Sequence, residues 1–495
     1  MPPLPAAGVF VKRYSLRIAL VSFLVIIPCL WHTHIEAGDL GSHLYNAWLV
    51  DLVQKGTLHD LYVTPQWNNV LCDWFLYQLG RIAGWTAAEK IVSAICVLLF
   101  FWGSFAFITA ASQKPPWLLT PGIAMIAYGY TFQMGFLNYY LAIGLAFFAM
   151  ALVWNGGSIE WLAAAGLAIL ACLAHPIGLL IMIGFIAYIK LAQHTRGWLR
   201  LLPPILAVAV IVGLHLYVIR FRTAFGLPFY FMNGTDQVVL YGFRYGMLAM
   251  CFLVFLLVAI VYSLVRSRKQ PLVPGVRISF ELWAVLLFAA AMFPEVIFLP
   301  QFAAPVALFV SRGTMISAIL LLCILGCLRP QRWLLAGLSV LAAVLFTWLY
   351  VDTGRLNTIE MQAEQMLHAL PYGSRVVVTM GPPPGSRIWF IEHMVDRACI
   401  GHCFMYSNYE PSSGQFWIHA RPGGRTATSS AQDAMDIQVG TYRVKAEDLP
   451  LKQLYQCRVE DIGQLCMRDL HAGEVNCAAC NQPLYWLMRA GMKAR

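Results

Sequence analysis

Eleven apolar runs recur along the chain, at about residues 16–34, 91–111, 117–131, 135–154, 160–174, 176–190, 201–219, 246–265, 281–299, 305–327 and 332–350. A helical crossing of a bilayer needs ~20 predominantly apolar residues, and only helices or closed barrels satisfy their backbone in hydrocarbon. The runs therefore predict an α-helical polytopic membrane protein with about 11 transmembrane helices. Composition points the same way: 59% of the 495 residues are hydrophobic and 12% charged, against ~25% charged in a soluble domain. A cytosolic globular enzyme is excluded.

The net charge of +10 is unevenly spread. Residues 1–351 carry twenty basic and ten acidic side chains, whereas 352–495 carry fourteen of each. Two domains are expected: a transmembrane domain, 1–351, and a soluble domain, 352–495. Positive charge on so apolar a chain orients it in a bilayer and does not point to nucleic acid. Lys12, Arg13 and Arg17 precede the first run with no small-residue cleavage site behind it, so an uncleaved first span is expected. A break at His175-Pro176 makes two short spans of 160–190. The clusters Lys190/Arg196/Arg200, Arg266/Arg268/Lys269/Arg277 and Arg329/Arg332 then share the side of Lys12. The N-terminus is read as cytoplasmic, and the long first loop (35–90) and the tail as extracytoplasmic.

That first loop holds six of the ten acids of the membrane domain: Glu36, Asp39, Asp51, Asp60, Asp73 and Glu89. Its opening, HTHIEAGDLGSHLYNAWLVDLVQKGTL, places His32, His34, Glu36, Asp39 and His43 where a helix meets the membrane surface. Ionisable groups there are costly to desolvate and mark function. Asp39 and His43 are four residues apart and share a helix face, a spacing suited to a divalent metal or to acid–base work. Asp39 also reads as a helix N-cap, and His32 and His34 as interfacial histidines. LYNAWLVDLVQ reads as an amphipathic surface helix carrying Leu44, Ala47, Trp48, Val50 and Val53, and VLCDWFLYQLGRIAG as a second, with Asp73 on a solvated face or as a second catalytic carboxylate.

An acid just beyond a cytoplasmic-start span, a long first outer loop with surface helices, many further spans and an outer C-terminal domain resemble the GT-C superfamily of integral membrane glycosyltransferases. GDLGSHLYNAWLVDLVQKGTLHDLY carries the resemblance, which covers the topology and about one loop; Leu40 stands where those enzymes often have a second acid. The resemblance implies a lipid-linked sugar donor on a polyprenyl-phosphate carrier, an envelope acceptor (glycan, lipid or protein), and Asp39 as catalytic base or metal ligand, with His43 and Glu36 beside it. The chain also resembles bacterial multi-span membrane proteins with no named activity.

Transfer from a lipid phosphate needs cations for the departing phosphate. Arg220, Arg222, Arg244 and Arg312 violate the positive-inside bias, and Arg suits bidentate phosphate recognition; Glu295 is a candidate partner for Arg312. Gln133, Asn138, Tyr139 and Tyr140 fall at one outer turn and His175 at another, where they read as sugar or phosphate contacts, or as an aromatic belt and a helix end. The stretch 223–245, with Gly226, Pro228, Asn233, Gly234 and Asp236, reads as a lid or a plain loop. The same arginines could line a path for a lipid-linked or anionic substrate in a transporter or flippase-like protein, and the tail could serve a noncatalytic envelope assembly factor.

In the tail, RLNTIEMQAEQMLHAL reads as an amphipathic helix and RVVVTM and GQFWIHA as strands, giving a small α/β domain. Its six cysteines, Cys399, Cys403, Cys457, Cys466, Cys477 and Cys480, suit disulfides outside the cytoplasm. Zinc held by Cys399, His402 or Cys403 with Cys477 and Cys480 is the alternative.

Overall fold

The computed structural model describes residues 7–476 except 227–231, 268–272, 301, 303–304, 329, 384, 389–390, 439 and 459–460. Cys477 and Cys480, together with Pro228, Arg268, Lys269 and Arg329, lie outside the described residues. Among the described residues, eight helices are long and apolar enough to cross a membrane: Trp85–Ser112, Leu137–Asn155, Pro176–His194, Gly197–Val218, Phe243–Ser267, Pro274–Met292, Phe309–Cys327 and Trp333–His368. The fold is that of a polytopic helical membrane protein.

Eight is fewer than the eleven expected, and the other three runs show why. The first becomes the helix Ala7–Ile26, which carries Lys12, Arg13 and Arg17. The run at 117–131 is broken into a 3-10 turn, the helix Thr120–Ala127 and a four-residue helix Tyr130–Gln133. Its Tyr128, Tyr130 and Phe132 are fully buried, and irregular backbone at membrane depth is tolerated when protein surrounds it. The run at 160–174 forms the seventeen-residue helix Ser158–Ala174, which stops at His175 because Pro176 begins the next. The apolar stretch after Met292 is strand, not helix: Arg222–Ala224, Val296–Phe298 and Val306–Ala307 form a small antiparallel sheet.

Leu137–Asn155 is the central helix, with 83% of its apolar window buried; Gly197–Val218, at 11%, is peripheral. Trp85–Ser112 packs along one side of the central helix, and Ser158–Ala174 and Pro176–His194 pack on others.

The first loop and the tail lie on one common side, because they share a sheet. Leu61–Val63 pairs antiparallel with Ile418–Ala420, so the GQFWIHA strand extends the loop and not the tail. The tail's own sheet has the order Phe404–Met405, Arg375–Thr379, Leu451–Arg458, Asp461–Leu470. Trp333–His368 runs unbroken for 36 residues from the bundle into the tail. The helix Leu40–Gln54 does not float on the membrane surface: every residue from Leu40 to Asp51 is buried. The tail covers its outer face, with Tyr45 Oη accepting from Met405 N at 2.8 Å and Asn46 and Asn408 exchanging side-chain hydrogen bonds. Disulfides join Cys399 to Cys403 and Cys457 to Cys466.

Candidate functional site

Asp39 stands at the N-cap position of the Leu40–Gln54 helix, yet its carboxylate makes no capping hydrogen bond. The backbone explains this. Asp39 N donates to Met134 O at 3.0 Å, which fixes the residue against the turn at Met134–Gly135. Gly135 has φ +78°, and a Cβ there would sit 2.5 Å from Asp39 N; one on Gly41 would sit 2.1 Å from His393 O. Glycines at both positions let two other segments close on Asp39. Its carboxylate is thereby aimed away from its own helix and towards the tail.

There it meets an imidazole. His393 Nε2 lies 3.5 Å from Asp39 Oδ1, while His393 Nδ1 is held by Asp396 Oδ2 at 2.7 Å. Burial alone lowers the His393 pKa, but the carboxylates of Asp396, Glu392 and Asp39 outweigh it and lift the group to about 9. Burial raises Asp39 above the ordinary aspartate value, opposed by the charges of His393, His43 and Arg312. A base raised towards neutrality and steadied by an adjacent imidazolium suits proton abstraction.

His43 forms a second centre on the same helix. Its Nδ1 is 2.7 Å from Asp73 Oδ1 and 3.5 Å from Glu410 Oε1. Burial lowers its pKa, and Asp73 and Glu410 more than reverse this, to about 10. Glu410 is lifted to about 8, mainly by burial. Asp73 is thus buried and paired, where the sequence suggested a solvated face. Asn138 Nδ2 donates to Asp73 Oδ2 at 2.7 Å, and Asn138 Oδ1 accepts from Cys72 N at 2.8 Å.

Asp39 and His43 open onto a cavity of about 310 Å³, together with Asn138, Tyr139, His175, Arg312, Tyr409 and Phe416. The volume falls in the range of small-molecule sites. Arg312 is the arginine of this cavity. Its guanidinium lies 3.9 Å from the ring centroid of Phe136, and its Nε has no hydrogen-bond partner. Glu295 does not pair with it: that carboxylate accepts from Val310 N at 3.0 Å, Ser311 N and the Ser311 hydroxyl, capping the helix that carries Arg312. His175 Nδ1 accepts from Ile177 N at 3.2 Å, capping the following helix. In the neutral ring this places the proton on Nε2. The edge of one ring meets the face of the other where His175 packs on Tyr139.

The remaining candidates lie elsewhere. Glu36 is buried and does not line the cavity; Asn357 donates to it at 2.8 Å and Arg397 approaches at 3.5 Å. Arg244 pairs with Asp352 at 2.5 Å and stacks on Trp348. Arg220 and Arg222 are exposed, the latter over Phe298. None of these three arginines lines the cavity. Gln133 and Tyr140 are buried in the bundle, with Tyr140 Oη donating to Ala127 O at 2.9 Å. The Asn233–Asp236 part of the suspected lid is pinned inside: Asp236 is buried, receiving hydrogen bonds from Thr314 at 2.7 Å and from Arg387. His393, Asp396, Tyr409 and Glu410 were missed by sequence reasoning. The signal was present in IEHMVDRAC, four ionisable residues embedded among apolar ones.

Among the described residues, no group of three or more His, Cys, Asp or Glu side chains is arranged to hold a metal ion. Asp39 has one imidazole, His393, at 3.5 Å and belongs to no such group among the described residues. No protein-family model and no curated protein matches the chain.

Proposed function

We propose that this chain is a membrane glycosyltransferase of GT-C type, which moves a sugar from a polyprenyl-phosphate carrier to an envelope acceptor on the outer face of a bacterial inner membrane. One observation carries the reading: a single cavity holds a carboxylate withdrawn from helix capping, Asp39, and a guanidinium, Arg312, that forms no ion pair among the described residues.

In this reading an acceptor hydroxyl enters beside Asp39 and gives its proton to the carboxylate as its oxygen attacks the anomeric carbon. The bond from that carbon to the carrier's phosphate oxygen breaks, and its electron pair leaves on the phosphate. Arg312 and the Nε2–H of His175 balance the charge gathered there. Attack and departure on opposite faces invert the anomeric centre. His393, oriented by Asp396, keeps Asp39 ionised between turnovers. Asn138, Tyr139, Tyr409 and Phe416 offer amide and aromatic surfaces to a sugar.

Purified protein incubated with an envelope extract as acceptor and, in turn, short-chain polyprenyl-phosphate hexoses and pentoses tests the proposal, with release of polyprenyl phosphate as the signal. Release with at least one donor is expected, and Arg312→Gln is expected to reduce it roughly 10²–10³-fold. Release by no donor, in protein that melts cooperatively, would overturn the reading.

A further inference from the structure

A second concave site lies away from Asp39, where the first helix and the long Trp333–His368 helix leave the bundle. It is an open groove of about 690 Å³ whose lining includes Trp31, His32, Lys90, Tyr350, Gly354 and Arg355. Its floor is built tightly: the His32 ring stacks on Tyr350 with centroids 4.8 Å apart, and His32 Nε2 meets Tyr350 O at 2.9 Å. A Cβ on Gly354 would stand 3.0 Å from the His32 ring, so the lack of a side chain there lets the imidazole lie flat.

The charges in this groove are all of one sign. Lys90 Nζ donates to the His32 carbonyl at 3.0 Å and has no carboxylate partner among the described residues. Arg355 is exposed and makes no hydrogen bond or ion pair among them. The acids on flanking turns of the same helix are engaged elsewhere, Asp352 with Arg244 and Glu360 with Arg397. The groove is therefore an uncompensated cationic site.

Its surroundings decide what would fill it. Leu20, Phe23, Leu24 and Leu30 on the adjoining segment are all more than half exposed, and Trp31 and Tyr350 stand where that apolar surface ends. Trp and Tyr at such a boundary mark the headgroup level of a bilayer. Two cations beside them attract anionic headgroups, while the apolar flank would receive acyl chains.

We propose that this groove binds the phosphate of an anionic phospholipid, held by Lys90 and Arg355 with its chains lying along the first helix. The site is independent of the glycosyl-transfer reading.

Native mass spectrometry of protein extracted from bilayers of mixed phosphatidylglycerol and phosphatidylcholine tests it. The wild type is expected to retain phosphatidylglycerol preferentially. Each cation is worth roughly fivefold in that preference, so Lys90→Gln with Arg355→Gln should reduce it about thirtyfold. Arg355→Gln alone removes no hydrogen bond or ion pair among the described residues and should still reduce it about fivefold, which separates lost binding from lost folding. Excess inorganic phosphate should leave retention unchanged. Equal preference in wild type and variants, or displacement of the lipid by free phosphate, would overturn the proposal.

Discussion

Asp39 and His393 are separated by more than 350 residues of sequence, yet Oδ1 of one lies 3.5 Å from Nε2 of the other. The contact joins the first loop to the tail, so the candidate base is completed only when the C-terminal part docks. His393 is protonated at neutral pH, since its neighbouring carboxylates hold its pKa at about 9. Its charge therefore lowers the pKa of Asp39 and opposes the effect of burial.

Replacing His393 with Gln removes that charge while keeping a polar group in place. The pKa of Asp39 should rise, and the acidic limb of the pH–rate profile for transfer should move to higher pH. Asp396→Asn should give a smaller displacement in the opposite direction, because the charge of Asp396 itself raises the pKa of Asp39 and the imidazole stays protonated on the acidic limb. Initial rates across pH report this directly. A profile that falls in height but does not move along the pH axis would assign His393 to packing alone.

Stability should decline on the alkaline side. His43 is raised from 6.5 to about 10 in the folded chain, so its contribution is complete below pH ~6.5. It is lost as pH rises through about 10. Glu410, raised from 4.5 to about 8, has the same sign: its protonated form is favoured by folding, and the stabilisation fades as pH rises through about 8. Melting temperature in detergent should fall by several degrees from neutral pH to pH ~10, and Glu410→Gln should flatten the earlier part of that fall. A curve rising over this interval would contradict the assignment.

Arg397 ties three segments together inside the protein. It donates to Glu360 at 2.7 Å and to Glu89 at 2.8 Å, and lies 3.5 Å from Glu36. Burial, followed by the charge of Glu360, lifts Glu36 well above the usual carboxylate range, which limits the negative charge the guanidinium must balance. Arg397→Gln leaves Glu360 and Glu89 buried without a cation and should cost about 3–5 kcal/mol, measured by denaturant melts of purified protein. Substituting all four groups together with apolar residues should recover much of that loss.

The spans were legible where a run was both long and uniform: 135–154 is a helix with ends close to those expected, 91–111 lies within Trp85–Ser112, and 332–350 is the first half of a helix that continues to His368. Hydropathy failed at 117–131 because it measures burial and cannot tell lipid from protein as the burying medium. It also failed at Asp73 and along Leu40–Gln54, which looked half-solvated until the tail covered them. Asp39, Asn138, Tyr139 and His175 share a cavity. Arg220, Arg222 and Arg244 do not line it. Charge bias reports which side of a membrane a residue occupies and is silent about distances within it. His393, held by Asp396, reaches Asp39 through long-range packing that local patterns do not encode.

The most direct test of the central claim is Asp39→Asn assayed for sugar transfer alongside donor binding. The substitution keeps size and polarity but removes the base, so the transfer rate should fall roughly 10²–10⁴-fold. Binding of the polyprenyl-phosphate sugar and the melting temperature should stay close to wild type, because Arg312 and His175 remain. Full transfer activity in the Asn variant would contradict the account.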